Sequence, residues 1–364
     1  MDLRYRRITV KVGSNVLTKP DGMLNTARIA HLVDQLAVLH REGVEIILVS
    51  SGAVASGKSV LMPSKKYDSV SSRQLWAALG QVKLINRYSD FFREHSMICA
   101  QVLTTKENFS SRAHYLNMKN CIGTLLENRV IPIVNENDTI SITELMFTDN
   151  DELSGLMATM ANSEALIILS NVDGVYTGDP ADPESTIVTE IRSDLDDEEI
   201  HVSGQMSGFG RGGMMTKLRI ARKVASSGIP VHVANGGREN ILLDIMDRGK
   251  TVPHTLFVPE QRPVSGVKNW IAYSGSFAKA VLVVNEGAAR ALQSDKAVSL
   301  LPVGVVKTDG EFKTGDLLKI TDENNHYIGI GKAQFGSDKL EREKLADRQK
   351  PLIHYDYLYL ENGK

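Results

Sequence analysis

The chain has 364 residues, of which 42% are hydrophobic and 24% are charged, a composition typical of a soluble globular protein with about two domains. The formal net charge of −2 argues against a molecule that binds polyanions over its whole surface. Because the chain has only two cysteines, no apolar signal core near Met1 and no apolar run of bilayer length, we expect a cytoplasmic protein without a membrane partner.

Strands and helices alternate through the first two-thirds of the chain. Periodicity and turn residues predict strands at 7–12, 44–50, 97–103, 130–134, 165–169 and 231–234. Helices are predicted at 26–42, 72–94, 112–128 and 152–161, and another begins near Met214. We interpret the acidic segment 186–203 as an irregular excursion beside the ligand cleft. The alternation predicts an α/β fold: a three-layer α/β/α sandwich with a mostly parallel central sheet.

The pattern changes after residue 258. Residues 259–275 carry prolines and glycines with little periodicity, which predicts a linker. Short strands are then predicted at 279–285, 304–308, 316–321 and 327–333, with one helix at 287–293. The sequence therefore predicts a larger domain at 1–258 and a small, mainly β domain at 276–358.

Lys11 lies in a β-branched strand that runs into Gly13 and Ser14. A lysine in an apolar strand is costly unless its ammonium emerges at the strand's end, which would place Lys11 at the ligand-binding edge of the sheet. The alternative is a lysine whose side chain reaches solvent from an edge strand.

A glycine cluster at 208–213 precedes the helix that begins near Met214. Consecutive glycine N–H groups and a helix N-terminus can bind an anion, and Thr216 and Lys217 in the first turn could reach the same anion. The alternative is a surface turn before a helix.

Polar residues are densest at 135–138 and 148–151, and a Ser-Ser-Gly-Ala turn at 50–53 ends another strand. At the carboxyl edge of a parallel sheet, these groups would form one site. The alternatives are an Asx-rich turn at 135–138 and a helix-capping role for Asp151.

Several segments resemble the glutamate 5-kinase branch of the amino acid kinase family, in order and over nearly the whole chain. They are 10–14 (VKVGS), 49–53 (VSSGA), 133–138 (IVNEND), 149–151 (DND) and 208–217 (GFGRGGMMTK). Segments 284–288, 299–302 and 310–316 are similar to the PUA domain appended to many bacterial members. The resemblance implies the amino acid kinase fold with a C-terminal PUA domain, and ATP-dependent phosphorylation of the side-chain carboxylate of L-glutamate, the first step toward proline.

The resemblance also implies roles for individual residues. Lys11 and Lys217 would act on phosphate, and Asp151 would position them. The glutamate-binding positions would be Ser51, Gly52, Asn135, Asp138, Asp149 and Asn150. The nucleotide would be contacted by Lys11, Ser170, Asn171, Arg211, Gly212, Gly213, Met214, Met215, Thr216 and Lys217. Ser170-Asn171 stands where the family usually has Thr-Asp, and Arg211 replaces a small hydroxyl residue, so Arg211 either contacts phosphate or faces solvent.

The residues agree independently with this chemistry. A glutamate side chain has a pKa of about 4.3, so the nucleophile is already ionised at neutral pH and needs no histidine base. The task is to bring two anions together, for which two lysines and glycine N–H groups are suited. The sequence has no compact metal-ligand motif, so we expect Mg²⁺ to arrive with ATP rather than bind a protein metal site.

The remaining expectations concern partners. The resemblance implies a homo-oligomer, feedback inhibition by proline and delivery of product to glutamyl phosphate reductase. The alternative enzyme is a related kinase acting on aspartate, N-acetylglutamate or a phosphorylated metabolite. RNA binding by the second domain is not expected, because residues 276–364 contain 13 Lys+Arg and 13 Asp+Glu.

Overall fold

The computed structural model describes residues 1–61, 65, 67–109, 112–140, 150–192, 213–260, 268, 270–271, 275–294, 297–346 and 350–360. The chain divides into two compact units, one comprising Met1–Asn108 with Leu116–Gln261 and the other Phe109–Tyr115 with Arg262–Lys364. In the second unit, the Trp270 indole donates a hydrogen bond to the Phe109 carbonyl oxygen at 2.9 Å. The domain boundaries at 258 and 276 stay a prediction.

The larger unit contains an eight-stranded sheet in the order β3-β4-β2-β1-β5-β7-β8-β6. Its strands are β1 Arg7–Val12, β2 Glu45–Ser50, β3 Cys99–Thr104, β4 Ile131–Glu136, β5 Ala165–Ser170, β6 Glu190–Ile191, β7 Val231–Asn235 and β8 Thr255–Phe257. All neighbouring pairs are parallel except β7 and β8. The predicted mostly parallel sheet is confirmed, and the short strands β6 and β8 at one edge are additional to the prediction.

Helices occupy most of the connections between these strands. They are α1 Ser14–Leu17, α2 Thr26–Arg41, α3 Ala53–Lys58, α4 Ser69–Glu94, α5 Arg112–Glu127, α6 Asn150–Met160, α7 Met214–Ser226 and α8 Ile241–Met246. Helix α4 begins three residues before the predicted position, because the Asp68 side chain accepts hydrogen bonds from the N–H groups of Val70 and Ser71. Among the described residues, no helix combines the length and apolar character needed to cross a bilayer.

The alternation of side chains along β1 separates the core from the site. Ile8, Val10 and Val12 join one apolar core with residues of α2, α4 and α8. Thr9 and Lys11 therefore point to the opposite face, which α6 covers. One strand thus supplies three fully buried aliphatic side chains to the core and one lysine to the other face.

The smaller unit has a five-stranded sheet in the order β10-β9-β11-β12-β13. Its strands are β9 Ala280–Val284, β10 Val305–Asp309, β11 Leu317–Thr321, β12 Tyr327–Ala333 and β13 Ile353–Leu360, and its helices are α9 Glu286–Gln293 and α10 Leu340–Lys344. The four predicted strands are confirmed. Strand β13 was not predicted from the sequence, because its exposed stretch Tyr355–Tyr357 breaks the alternation of buried and exposed residues.

Helices α3 and α4 pack against each other with almost no space between their backbones. A Cβ on Gly80 would overlap the Ala53 carbonyl oxygen and the Gly57 nitrogen, and a Cβ on Gly57 would overlap the Trp76 carbonyl. These neighbours are backbone atoms, so they cannot move aside without shifting a helix. The two glycines therefore set the distance at which α3, the helix that follows β2, lies from α4.

We predict that Gly80→Ala lowers the free energy of unfolding by about 1–3 kcal/mol, because the added methyl group is forced against backbone. The measurement is chemical denaturation of the full chain. Gly123→Ala is the matched control, since a Cβ on Gly123 in α5 meets nothing within 4 Å. The control should be neutral or stabilising, because alanine in a helix interior is more favourable than glycine by about 1 kcal/mol. Equal effects of both substitutions would contradict the close-packing argument.

Candidate active site

Five of the predicted site residues lie where parallel strands end. Lys11 is the next-to-last residue of β1, and Asn135 is the next-to-last residue of β4. Ser51 and Gly52 follow β2, and Ser170 is the last residue of β5. The carboxyl ends of neighbouring parallel strands share one edge of the sheet, which is where open α/β sheets bind ligands. The order β4-β2-β1-β5 brings these residues side by side.

Asp151 lies between two buried lysines. The Lys11 ammonium is 2.5 Å from Oδ1 of Asp151, and the Lys217 ammonium is 3.1 Å from Oδ2. Asp151 is fully buried, while Lys11 and Lys217 are 4% and 8% exposed. The two lysines are far apart in sequence, on β1 and α7, and one carboxylate draws them together.

The surroundings keep Asp151 ionised. Burial alone would raise the pKa of the Asp151 carboxyl, but the ammonium groups of Lys11 and Lys217 hold that pKa below its ordinary value of 3.8. Asp151 also lies in the first turn of α6, where the helix dipole favours a negative charge. The alternative interpretation, in which Asp151 caps this helix, does not fit the structure, because α6 already begins at Asn150.

Backbone groups complete the surroundings of the lysines. A Cβ on Gly13 would lie 3.1 Å from the Leu169 carbonyl oxygen and 3.8 Å from the Lys11 ammonium, so a side chain there would crowd the site. Gly213 precedes the first turn of α7 and makes no side-chain cap. The N-terminal N–H groups of α7 and two ammonium groups suit a phosphate chain, which is the fit expected for a nucleoside triphosphate.

Asn150 connects two of the strand ends, those of β2 and β4. Its amide nitrogen donates to the Ser50 carbonyl oxygen at 2.8 Å, to Asn135 Oδ1 at 3.0 Å and to Ser51 Oγ at 3.1 Å. Asn135 in turn donates to Gln81 Oε1 of α4 at 2.9 Å. Gly52 adopts a left-handed backbone (φ 98°), which reverses the chain between β2 and α3. These bonds hold the turn after β2 against β4 and α6.

Asp138 is paired with a residue that the sequence analysis missed. Arg73 of α4 donates from Nε to Asp138 Oδ1 at 2.9 Å and from Nη2 to the same oxygen. The same Nη2 is 3.7 Å from Glu136 Oε2. No sequence signal pointed to Arg73, because a single arginine in a long helix with a polar face is usually solvated.

The remaining predicted nucleotide residues lie at two places. Ser170 and Asn171 are at the end of β5, where the Ser170 hydroxyl is 3.4 Å from Asn171 Oδ1. Met214, Met215 and Thr216 form the first turn of α7, and the Met215 side chain is about half exposed. Asp149, Arg211 and Gly212, together with most of the acidic segment 186–203, lie outside the described residues.

Among the described residues, no group of three or more His, Cys, Asp and Glu side chains is arranged to hold a metal ion. The acidic groups at the sheet edge are instead matched with cations: Asp151 with two lysines, and Asp138 with Arg73. The described cations at this edge of the sheet therefore suit an anionic ligand.

Comparison with known proteins identifies both units. The model of the amino acid kinase family matches residues 6–235, and that of the PUA domain matches residues 280–349. A glutamate 5-kinase of Bacteroides thetaiotaomicron is 54% identical over 361 residues, covering 99% of this chain and 100% of the relative. One of Chlorobaculum tepidum is 45% identical, covering 98% of each chain.

A solved structure supports the fold. The carbamate kinase from Giardia lamblia bound to AMP-PNP superposes with a TM-score of 0.50 at 16% identity, covering 71% of this chain and 99% of the other. The chain therefore belongs to the amino acid kinase family and, by its near full-length relatives, to the glutamate 5-kinases within it.

Proposed function

We propose that the chain transfers the γ-phosphoryl group of ATP to the side-chain carboxylate of L-glutamate, forming L-glutamyl 5-phosphate in the first step of proline biosynthesis. The observation that carries the proposal is the buried arrangement of Lys11 and Lys217 around Asp151. Near full-length identity to glutamate 5-kinases supports the choice of acceptor.

The two lysines supply the main catalytic effect in this mechanism. Phosphoryl transfer spreads negative charge over the moving group, and fixed ammonium groups in a buried site offset that charge without reorganising. Asp151 keeps both ammonium groups in place before ATP binds. The N–H groups at the start of α7 add partial positive charge beside Lys217. Mg²⁺ bound to ATP would supply further charge neutralisation.

The polar groups of the neighbouring strand ends hold the acceptor. Ser51, Asn135 and Asn150 offer hydroxyl and amide groups in one connected cluster, and Asp138 offers a carboxylate to the α-ammonium of the amino acid. The acceptor carboxylate is already ionised at neutral pH, so the protein removes no proton. Orientation of two anions against each other is then the second catalytic effect.

The proposal extends to the location, assembly and regulation of the enzyme and to the roles of its domains. We propose that the enzyme acts in the cytoplasm as a homo-oligomer, is inhibited by proline, and passes its product to glutamyl phosphate reductase. We assign catalysis to residues 1–258, a linker to 259–275 and the PUA domain to 276–358. The balanced charge of the latter disfavours RNA as its partner.

An acceptor panel tests the proposed reaction. We expect ATP-dependent ADP release with L-glutamate, and much weaker release with L-aspartate or N-acetylglutamate. The latter lacks the α-ammonium that Asp138 would bind. Activity with N-acetylglutamate but not with glutamate would contradict the proposal. Absence of activity with both acceptors would contradict it as well.

We predict that Lys217→Ala and Lys11→Ala each lower kcat by about 10²–10³, because each removes a fixed charge from the transition state. The KM for glutamate should change far less. Lys250→Ala is the control, since Lys250 is an exposed lysine of the same unit that pairs with Asp244. Near-normal kcat in Lys217→Ala, measured by steady-state kinetics, would disprove its role.

Asp151→Asn should lower both kcat and the unfolding temperature, because two buried ammonium groups lose their counter-ion. The stabilising effect of Asp151 is present above its ordinary pKa of 3.8 and is lost as pH falls through the lower pKa of the folded state. The difference in unfolding temperature between variant and wild type should therefore be constant above about pH 5 and should begin to shrink as the pH falls below about 4. A deficit that grows in acid would contradict this account.

A further inference from the structure

Arg73 of α4 contacts both carboxylates of the acidic pair at the end of β4, Glu136 and Asp138. Its guanidinium makes two hydrogen bonds to Asp138 Oδ1 and lies 3.7 Å from Glu136 Oε2. The side chains of Asp138 and Glu136 are 9% and 4% exposed, so the interaction is shielded from solvent. A shielded charge-assisted pair of this kind holds a carboxylate in one orientation.

The geometry points to Arg73 as a positioning residue for substrate binding, which aligns the Asp138 carboxylate for the α-ammonium of the amino acid. This inference rests on the proposed function. Both guanidinium hydrogen bonds fall on Oδ1, so the contacts among the described residues leave Oδ2 of Asp138 for a second donor. Arg73 acts through Asp138 and touches no reacting atom.

The charges agree with this role. Two carboxylates and one guanidinium leave one net negative charge, which complements one ammonium. Without Arg73, Glu136 and Asp138 would present two negative charges only two residues apart, and the α-carboxylate of the substrate would be repelled. Arg73 therefore both orients Asp138 and limits the negative charge that the substrate meets.

The surrounding structure supports the backbone of this turn separately from Arg73. Gln74, the next residue of α4, donates from its side chain to the Thr139 carbonyl oxygen at 3.1 Å. Because Gln74 holds the backbone of this turn, loss of Arg73 should release the Asp138 side chain rather than unfold the turn.

Kinetics of Arg73→Ala test the inference. We expect the KM for glutamate to rise about tenfold or more, as for the loss of a hydrogen bond to a charged group, with kcat within about twofold of wild type. Arg73→Lys, which keeps the charge, should recover most of the loss. Arg93→Ala is the matched control, because Arg93 is an exposed arginine of the same helix that pairs with Asp90. An unchanged KM, or a fall in kcat of the same size, would overturn the inference.

A double-mutant cycle separates action through Asp138 from other roles. Asp138→Asn alone should raise the KM for glutamate, and adding Arg73→Ala should raise it little further. Full additivity of the two effects would mean that Arg73 acts independently of Asp138, which overturns the inference. If Arg73→Ala does not fold, Arg73→Gln keeps most of the side-chain length and serves in the same cycle.

Different results would refute the proposed function and the positioning role of Arg73. Wild type that phosphorylates no glutamate refutes the proposed function. Wild type that does so, combined with an unaffected KM in the Arg73 variants, refutes only the positioning role. Calorimetric titration of glutamate into the wild type and the Arg73 variants provides a second readout: a Kd that rises in parallel with KM supports the role, and an unchanged Kd opposes it.

Discussion

The candidate site depends on one carboxylate that serves two ammonium groups. Burying a charge costs several kcal/mol unless it is paired, and neither Lys11 nor Lys217 has much access to water. Asp151 meets this requirement from the first turn of α6, where the helix dipole adds to its stability as an anion. This pairing therefore requires three elements to meet at one point: β1 with Lys11, α7 with Lys217 and α6 with Asp151.

The sheet makes that meeting possible. Because β1 is central, with β2 and β5 as its parallel neighbours, its carboxyl end is surrounded by other strand ends. Alternation along β1 sends three aliphatic side chains to one core and Lys11 to the other face. Close packing of α3 on α4, through Gly57 and Gly80, then positions the helix that carries Arg73. Fold stability and site geometry thus rely on the same elements.

Local patterns predicted the regular elements well and long-range contacts poorly. The strand at 7–12 was predicted with its observed limits because its β-branched run ends at a glycine turn. By contrast, the start of α4 was placed three residues late, since the Asp68 cap precedes the apolar periodicity. The role of Asp151 as a counter-ion came only from the family resemblance, because its local position equally suits a helix cap. Arg73 and Asp138 are 65 residues apart, and no spacing rule links a helix position to a strand end at that distance.

Two clusters of charged residues, with opposite net charge, lie at one edge of the sheet. Lys11, Asp151 and Lys217 together carry one net positive charge, and Glu136, Asp138 and Arg73 carry one net negative charge. The amides of Asn150 and Asn135, each adjacent in sequence to one of these groups, join them by a hydrogen bond at 3.0 Å. The ammonium of an amino acid matches the negative cluster. Its side-chain carboxylate and the phosphate chain of a nucleotide match the positive cluster. Under the proposed function, the binding of ATP and the amino acid would complete an electrostatic arrangement that folding has already prepared.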